Sequence, residues 1–160
     1  MEIAPGRKTS QNVVDFSINL MQKIGKRPIL MKKFAPLCIV NKIQSAITGA
    51  MYELITRGLA TPEQIDLAIK YTFGIKLPVV GLIQSQDFMG LDLLNDILKT
   101  RGIEVPFIIE KIKRGNLGVK SGIGFYDYGG RSEQEILNKR DRLCLQMLEH
   151  LEKINAFNPI

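Results

Sequence analysis

The sequence has little that would direct the protein to a membrane, a metal or an oxidising compartment. No apolar run approaches the roughly 18 residues that a membrane-spanning helix needs, and no signal-peptide pattern opens the chain. Its two cysteines, Cys38 and Cys144, lack metal-site spacing and lie in apolar surroundings, which predicts buried thiols. These absences predict a cytoplasmic protein with no membrane partner and no bound metal.

A nucleic-acid motif is also absent, although the 160 residues carry a net charge of +6. The basic residues occur in short groups that do not alternate with exposed aromatic residues. A phosphate-bearing small ligand, or solubility alone, explains the positive excess equally well. We therefore expect no nucleic-acid partner, and the length indicates one domain of ordinary size.

Convincing β-strands are scarce, and helical patterns follow one another along the chain. Apolar residues recur at steps of three and four between Cys38 and Ile55, which predicts a helix with an apolar surface wide enough to pack on more than one side. Gly58 is expected to end this helix, and Ser132 to cap the last one. The fold class predicted is all-α, with many packed helices.

A small polar line on the first long helix has two interpretations. It consists of Asn41, Ser45, Thr48, Gly49 and Tyr52. Such residues either form hydrogen bonds inside the fold or border a ligand, because a solvated helix face usually carries Lys and Glu. The pattern alone leaves both interpretations open.

One short segment, Arg27 to Lys32, is expected to be a strand without a partner. A strand alone leaves its backbone groups unpaired, so the sequence predicts a sheet of which most is missing. Residues 73–78 are predicted to form a turn, and residues 79–89 the helix after it.

The glycine-rich segment from Gly115 to Tyr128 resembles a phosphate loop only superficially. Val119 stands where a P-loop needs glycine before Lys-Ser, and no helix is expected after Ser121. A dinucleotide-binding turn would open a helix, whereas Gly124 leads into aromatic residues. We interpret the segment as a structural clasp, in which positive-φ glycines let the aromatic side chains cover the core.

Five motifs in the same order and spacing resemble the C-terminal part of the L-3-hydroxyacyl-CoA dehydrogenase (3-hydroxybutyryl-CoA dehydrogenase) family. They are Glu2-Ile3 with Lys8-Thr9-Ser10, Ile39-Val40-Asn41-Lys42, Arg57-Gly58 with Ile65-Asp66, Asp87 to Asp92, and Gly118 to Tyr128. The resemblance implies an NAD-dependent oxidoreductase of fatty-acid or butanoate metabolism that converts 3-hydroxyacyl-CoA to 3-oxoacyl-CoA. Together the motifs span nearly the whole chain.

The resemblance also implies the domain organisation. Residues 1–32 would be the remaining edge of a Rossmann-type cofactor domain, and residues 33–160 the helical C-terminal domain that lines the substrate cleft and forms a homodimer. NAD would be bound in the full-length enzyme by the N-terminal domain, and none by this chain alone. The chain then looks like part of a larger enzyme, separated by cloning, proteolysis or gene division, and inactive without its partner domain.

Three site residues follow from the same resemblance. Glu2 matches the family's catalytic glutamate, which orients a histidine general base, but the histidine belongs to an upstream segment that this sequence lacks. The single histidine, His150, is expected to be a surface residue. Asn41 matches a residue that borders the acyl-CoA substrate, and Ser45 is a second substrate-binding candidate.

Departures from the family pattern leave the substrate open. Pro36-Leu37-Cys38 stands where the family has Pro-Gly-Phe, so the acyl-chain length and the CoA thioester itself are undetermined. The alternative function is a stand-alone helical oligomerisation or acyl-CoA-binding module without redox activity.

Overall fold

A computed structural model describes residues 1–158, and the predicted all-α class is confirmed. The elements are β1 (Glu2–Ile3), α1 (Gln11–Lys23), β2 (Ile29–Leu30), α2 (Val40–Thr56), α3 (Pro62–Tyr71), α4 (Phe73–Met89), α5 (Leu91–Thr100), α6 (Pro106–Lys113) and α7 (Glu133–Lys153), with a short 3-10 helix at Val119–Ser121. The chain divides into two compact units, Met1–Pro62 and a second that begins at Glu63. The predicted boundary after residue 32 lies within the first unit and stays a prediction.

The first unit contains a two-stranded parallel sheet, which corrects the prediction of a strand without a partner. Glu2 pairs with Ile29 and Ile3 with Leu30, and the Met31 N–H donates to the Ile3 carbonyl at 2.8 Å. Helix α1 makes the connection between the two parallel strands. Strand β1 could not be predicted from the sequence, because two residues are too few to show the alternating pattern of a strand.

Helix α2 forms where the apolar periodicity predicts it, and Gly58 ends it with a left-handed φ of 63°. The prediction that this helix packs on more than one side is wrong for the single chain, because none of its described residues is buried. Ile43 and Ile47, for example, remain 39% and 46% exposed. The periodicity predicts an apolar surface correctly, but it does not say which chain covers that surface.

Residues 73–78 are helical and do not form the predicted turn. Helix α4 starts after Thr72, whose carbonyl accepts from the Lys76 N–H at 3.2 Å. The break lies later, at Gly81, which has a left-handed φ of 66° between two helical segments. Pro78 is a turn signal in the sequence, but it lies inside helix α4, which packs against α7 and α5.

The second unit is built around helices that surround the glycine-rich segment. Helix α7 packs on α4 and on the 3-10 helix, and α5 packs on α6. The buried residues at this centre are Leu91, Ile108, Val119, Tyr128 and Ile136. Ser132 caps α7 as predicted.

The cap of α7 is a complete capping box. The Glu135 N–H donates to the Ser132 hydroxyl at 3.3 Å, and the Ser132 N–H donates to the Glu135 carboxylate at 2.8 Å. Hydrogen bonds from the Ser132 side chain and backbone lower the pKa of Glu135. The start of the last helix is therefore defined by local interactions alone.

Neither cysteine is the buried thiol that the sequence suggested. Cys38 and Cys144 are both partly exposed. Cys38 also precedes α2 with a left-handed φ of 52°, so it does not belong to the helix. Burial of the two thiols is predicted from their apolar neighbours along the chain, but neighbours in sequence do not determine burial.

Candidate functional site

The Glu2 side chain caps the N-terminus of helix α2. Its carboxylate accepts from the Ile39 N–H at 2.7 Å, and the Val40 N–H lies 3.4 Å from both carboxylate oxygens. The cap residue Ile39 has no side-chain acceptor, and the first turn of α2 has no acidic residue. A carboxylate from strand β1 therefore satisfies helix N–H groups that would otherwise lack partners.

A strained turn directs these N–H groups toward Glu2. Leu37 and Cys38 have left-handed φ angles of 65° and 52° immediately before the helix. Residues with a Cβ rarely adopt this conformation, at a cost on the order of 1–2 kcal/mol each. Leu37 stands where the family pattern has glycine, so the geometry explains why a glycine fits that position.

Asn41 and Ser45 lie on one face of α2, close to the end that Glu2 caps. They are separated by four residues, so their side chains project from the same side of the helix. Both are exposed, and neither side chain forms a hydrogen bond within residues 1–158. Glu2 and Asn41 thus belong to one structural unit, in which Glu2 binds the N–H groups that immediately precede Asn41.

The single histidine does not belong to this group. His150 is exposed in the last turn of α7, as the sequence predicts. Among residues 1–158, no group of three potential metal-ligating side chains lies close enough to hold an ion. In the same range, no helix has both the length and the apolar character required to cross a bilayer.

A second cluster of polar interactions closes the glycine-rich segment on α4. The carboxylate of Asp87 is buried and accepts from the Phe125 N–H at 2.8 Å, the Tyr126 N–H at 3.0 Å and the Tyr128 hydroxyl at 2.9 Å. Burial, and then the neighbouring Asp87 carboxylate, raise the pKa of the Tyr128 hydroxyl strongly. The hydroxyl therefore remains a donor to Asp87.

Two glycines allow the segment to approach Asp87 this closely. A Cβ at Gly118, which has a φ of 109°, would overlap the backbone of Asp87, and one at Gly124 would overlap the Asp87 carboxylate. Gly122 has a left-handed φ of 75° but faces open space. The predicted clasp is observed, although Gly124 is required for close approach and not for a positive φ.

Two lysines hold the outside of the clasp. Lys120 donates to the Asp92 carboxylate at 2.7 and 2.5 Å, and Lys111 donates to the Gly124 carbonyl at 2.7 Å. The hydrogen bond from Lys120 is the main cause of a lowered pKa at Asp92. The side chains of Lys120 and Asp92 are 40% and 41% exposed, so solvent screening keeps the contribution of this ion pair to stability small.

Sequence reasoning missed the helix cap at Glu2 and the central position of Asp87. Nothing in the local sequence indicates the first, because Glu2 and Ile39 are 37 positions apart. In the sequence, Asp87 is identified only as the first residue of the motif from Asp87 to Asp92, with no structural role of its own. An aspartate among the apolar residues Phe88 and Met89 is the signal that could have identified it, since a buried carboxylate needs several donors.

Comparisons with known proteins agree on one family. Residues 38–128 match the family described as 3-hydroxyacyl-CoA dehydrogenase, C-terminal domain. A similar curated protein is the 5-formyl-3-hydroxy-2-methylpyridine 4-carboxylate 5-dehydrogenase of Mesorhizobium japonicum, 28% identical over 159 residues that cover 95% of this chain and 52% of that protein. The chain therefore spans about half the length of this relative.

Solved structures give the same result. The 3-hydroxyacyl-CoA dehydrogenase of Archaeoglobus fulgidus superposes with a TM-score of 0.75 and 28% identity over 92% of this chain and 54% of that one. A structure of 5-formyl-3-hydroxy-2-methylpyridine 4-carboxylic acid 5-dehydrogenase, an NAD+-dependent dismutase, superposes with a TM-score of 0.59 and 26% identity over 94% and 51%. The chain belongs to the 3-hydroxyacyl-CoA dehydrogenase C-terminal domain family.

Proposed function

We propose that residues 1–160 form the substrate-cleft half of an NAD-dependent 3-hydroxyacyl-CoA dehydrogenase, with Glu2 as its catalytic carboxylate. The observation that carries the proposal is the bond from the Ile39 N–H to Glu2 at 2.7 Å, since it ties the carboxylate to the helix that bears Asn41. The family membership and the Archaeoglobus relative support the reaction class.

In this proposal Glu2 orients a histidine that another domain supplies. Oxygen Oε1 accepts the short bond from Ile39, while Oε2 has only a long contact with the Val40 N–H. Oε2 is thus available to accept from an imidazole N–H and to stabilise the imidazolium that forms when the histidine removes the hydroxyl proton. The cap on α2 holds the carboxylate in one orientation before substrate binds.

Asn41 and Ser45 are proposed to contact the substrate. Their side chains are exposed on one face of α2 and have no partner within residues 1–158. An amide N–H of Asn41 can donate to the oxygen that becomes the 3-oxo group. Ser45, one turn further along, offers a second donor.

The described residues do not provide a fitting site for NAD. A dinucleotide-binding turn needs several glycines between a strand and a helix, but the connection between β1 and α1 contains only Gly6. NAD, which accepts the hydride when bound, is therefore assigned to an N-terminal cofactor domain. We expect the chain alone to be inactive for this reason.

A second substrate class is supported by the Mesorhizobium relative, which aligns with 95% of this chain. Its name indicates a substituted pyridine carboxylate and not a CoA thioester. The same Glu2 and Asn41 could serve either substrate, because addition of water to the formyl group of the pyridine compound gives a carbon that bears both a hydroxyl group and a hydrogen. Loss of a hydride from that carbon and of a proton from its hydroxyl group then gives a carboxylic acid, as the same two losses give a 3-oxo group from a 3-hydroxyacyl thioester. Paired turnover measurements with 3-hydroxybutyryl-CoA and the pyridine substrate distinguish the two.

A homodimer is proposed through the apolar surface of α2. Val40, Ile43 and Ile47 are 56%, 39% and 46% exposed, and they follow one another at helical spacing. An exposed apolar surface of this kind marks an interface, and a two-fold dimer is the commonest way to cover it. A cytoplasmic location of the protein is also proposed, independently of the dimer.

Substitution on this surface gives a direct test of the dimer. We expect light scattering to report a dimer for the parent chain and a monomer for Ile43→Glu/Ile47→Glu, because two carboxylates cannot be buried without partners. Gln44→Glu, an exposed residue of the same helix, is the matched control and should remain a dimer. A parent monomer, or a dimer that survives the double substitution, contradicts the proposed interface; survival would favour edge pairing of β2.

The proposed dependence on a cofactor domain has its own test. Incubated with NAD and 3-hydroxybutyryl-CoA, the isolated chain should produce no NADH above background, because it offers neither the histidine base nor a dinucleotide-binding turn. The Archaeoglobus enzyme serves as the positive control under the same conditions. Any turnover by the isolated chain would contradict the proposed dependence on a cofactor domain, and turnover that Glu2→Gln leaves unchanged would also contradict the proposed role of Glu2.

A further inference from the structure

The first unit contains an open cavity that the dehydrogenase chemistry does not use. Its volume is about 920 Å³, which is within the range of small-molecule sites. The cavity lies at the carboxyl ends of β1 and β2, and the N-terminal turn of α1 forms another part of its wall. Glu2, Asn41 and Ser45 are not among its lining residues.

The charge of the cavity is of one sign. Arg7, Lys32 and Lys33 line it, and no aspartate or glutamate does. None of these three cations forms an ion pair within residues 1–158. Three uncompensated cations around one cavity attract an anion, and a terminal phosphate group, with close to two negative charges at neutral pH, is the anion they match best.

The position of Arg7 is defined by the backbone. The Gly6 N–H donates to the Thr9 hydroxyl at 3.0 Å, and the Thr9 N–H donates to the Gly6 carbonyl at 3.1 Å. Arg7 lies within the turn that these two bonds close. On the opposite strand, the ladder bond from Met31 to Ile3 at 2.8 Å fixes the backbone just before Lys32 and Lys33.

The cavity also offers an apolar surface beside the cations. Val14 and Met31 are buried at its base, and Phe34 lines it with a ring that is 66% exposed. None of the ring contacts found within residues 1–158 involves Phe34. An aromatic ring without a partner, next to three cations, suits an organic phosphate whose ring or chain can pack against it.

We infer that this cavity binds the terminal phosphate of an organic phosphate, meaning a phosphate that is bonded to the rest of the molecule through one oxygen only and carries about two negative charges. Arg7, Lys32 and Lys33 contact the phosphate, and Phe34 contacts the organic part. NAD fits this cavity poorly, because its two phosphates form a bridged pyrophosphate in which each carries only a single negative charge. The inference stands on the first unit alone and does not depend on the dehydrogenase proposal.

Calorimetry on the whole chain tests the inference with ADP as the probe. We expect saturable ADP binding, at least tenfold weaker binding of NAD, and at least tenfold weaker ADP binding by Lys32→Gln/Lys33→Gln. The matched control is Lys23→Gln/Lys26→Gln, which removes the same charge from exposed lysines of the same unit that do not line the cavity. Its affinity for ADP should stay within about twofold of the parent.

Further probes separate the sources of the phosphate and the possible failures. Coenzyme A also carries a phosphate with two negative charges, so tighter binding of coenzyme A than of ADP assigns the site to a thioester, and the reverse assigns it to a free nucleotide. Inorganic phosphate binding as tightly as ADP would refute the contact with Phe34. The inference is overturned if ADP does not bind, if NAD binds equally well, or if both lysine pairs weaken ADP binding alike.

Discussion

Replacing Asp87 with alanine should lower the free energy of unfolding by about 3–5 kcal/mol. The carboxylate is 1% exposed and accepts from two backbone N–H groups and the Tyr128 hydroxyl. Alanine leaves these three donors without an acceptor at a buried site, and each such loss carries a desolvation penalty. Urea unfolding followed by circular dichroism measures the change.

Asp96→Ala is the control for this substitution. Asp96 is an exposed residue of α5, and its replacement should change the free energy of unfolding by no more than about 0.5 kcal/mol. Asp87→Asn should fall between the two, because the amide keeps one acceptor oxygen but presents an NH2 group to the remaining donors. Equal stability of Asp87→Ala and Asp96→Ala would show that the clasp does not hold the second unit together.

Gly118→Ala is expected to have an effect of similar size, about 3 kcal/mol or more. The added Cβ would overlap the backbone of Asp87, which cannot rotate away as a side chain can, and the φ of 109° is unfavourable for alanine. Thermal unfolding should therefore show a large fall in Tm. An unchanged Tm would mean that Gly118 does not lie against Asp87.

Two neighbouring glycines separate close approach from backbone conformation. Gly122→Ala should cost only about 1–2 kcal/mol, because its φ of 75° is unfavourable but the space around it is open. Gly124→Ala should cost more than Gly122→Ala, since its Cβ would overlap the Asp87 carboxylate. If Gly122→Ala cost more than Gly124→Ala, the clasp would need its glycines for their backbone conformation and not for close approach to Asp87.

The sequence predicts those features that depend on neighbouring residues. Ser132 and Glu135 are three positions apart, so the cap of α7 could be predicted from their identities. The same holds for the end of α2 at Gly58. Helical periodicity gave the class, because each apolar stripe is repeated several times within one element.

Features that depend on distant residues could not be predicted. The pairing of Glu2 with Ile29, and the bond from Ile39 to Glu2, join positions that nothing in the local pattern connects. Strand β1 is too short to show alternation, so its existence becomes visible only with its partner. Pro78 shows the opposite error, because a residue that signals a turn locally lies inside helix α4.

The candidate site divides in the same way. The helical pattern marks Asn41 and Ser45 as part of a polar line that could border a ligand, but only the resemblance to a family connects them with Glu2, because no spacing in the sequence relates residue 2 to residue 41. The structure places Glu2 at the first turn of the helix that bears Asn41 and Ser45. Their roles toward substrate stay predictions that turnover measurements must test.

The central proposal is that Glu2 serves catalysis once a cofactor domain is present. The most direct measurement is NADH formation by this chain fused to the NAD-binding domain of the Archaeoglobus relative, with 3-hydroxybutyryl-CoA and the pyridine substrate each supplied. We predict turnover of one substrate, reduced at least 100-fold by Glu2→Gln, as expected for loss of a group that assists a general base, with NAD binding unchanged. A fusion that folds and binds NAD but turns over neither substrate, or whose turnover survives Glu2→Gln, would contradict the proposal.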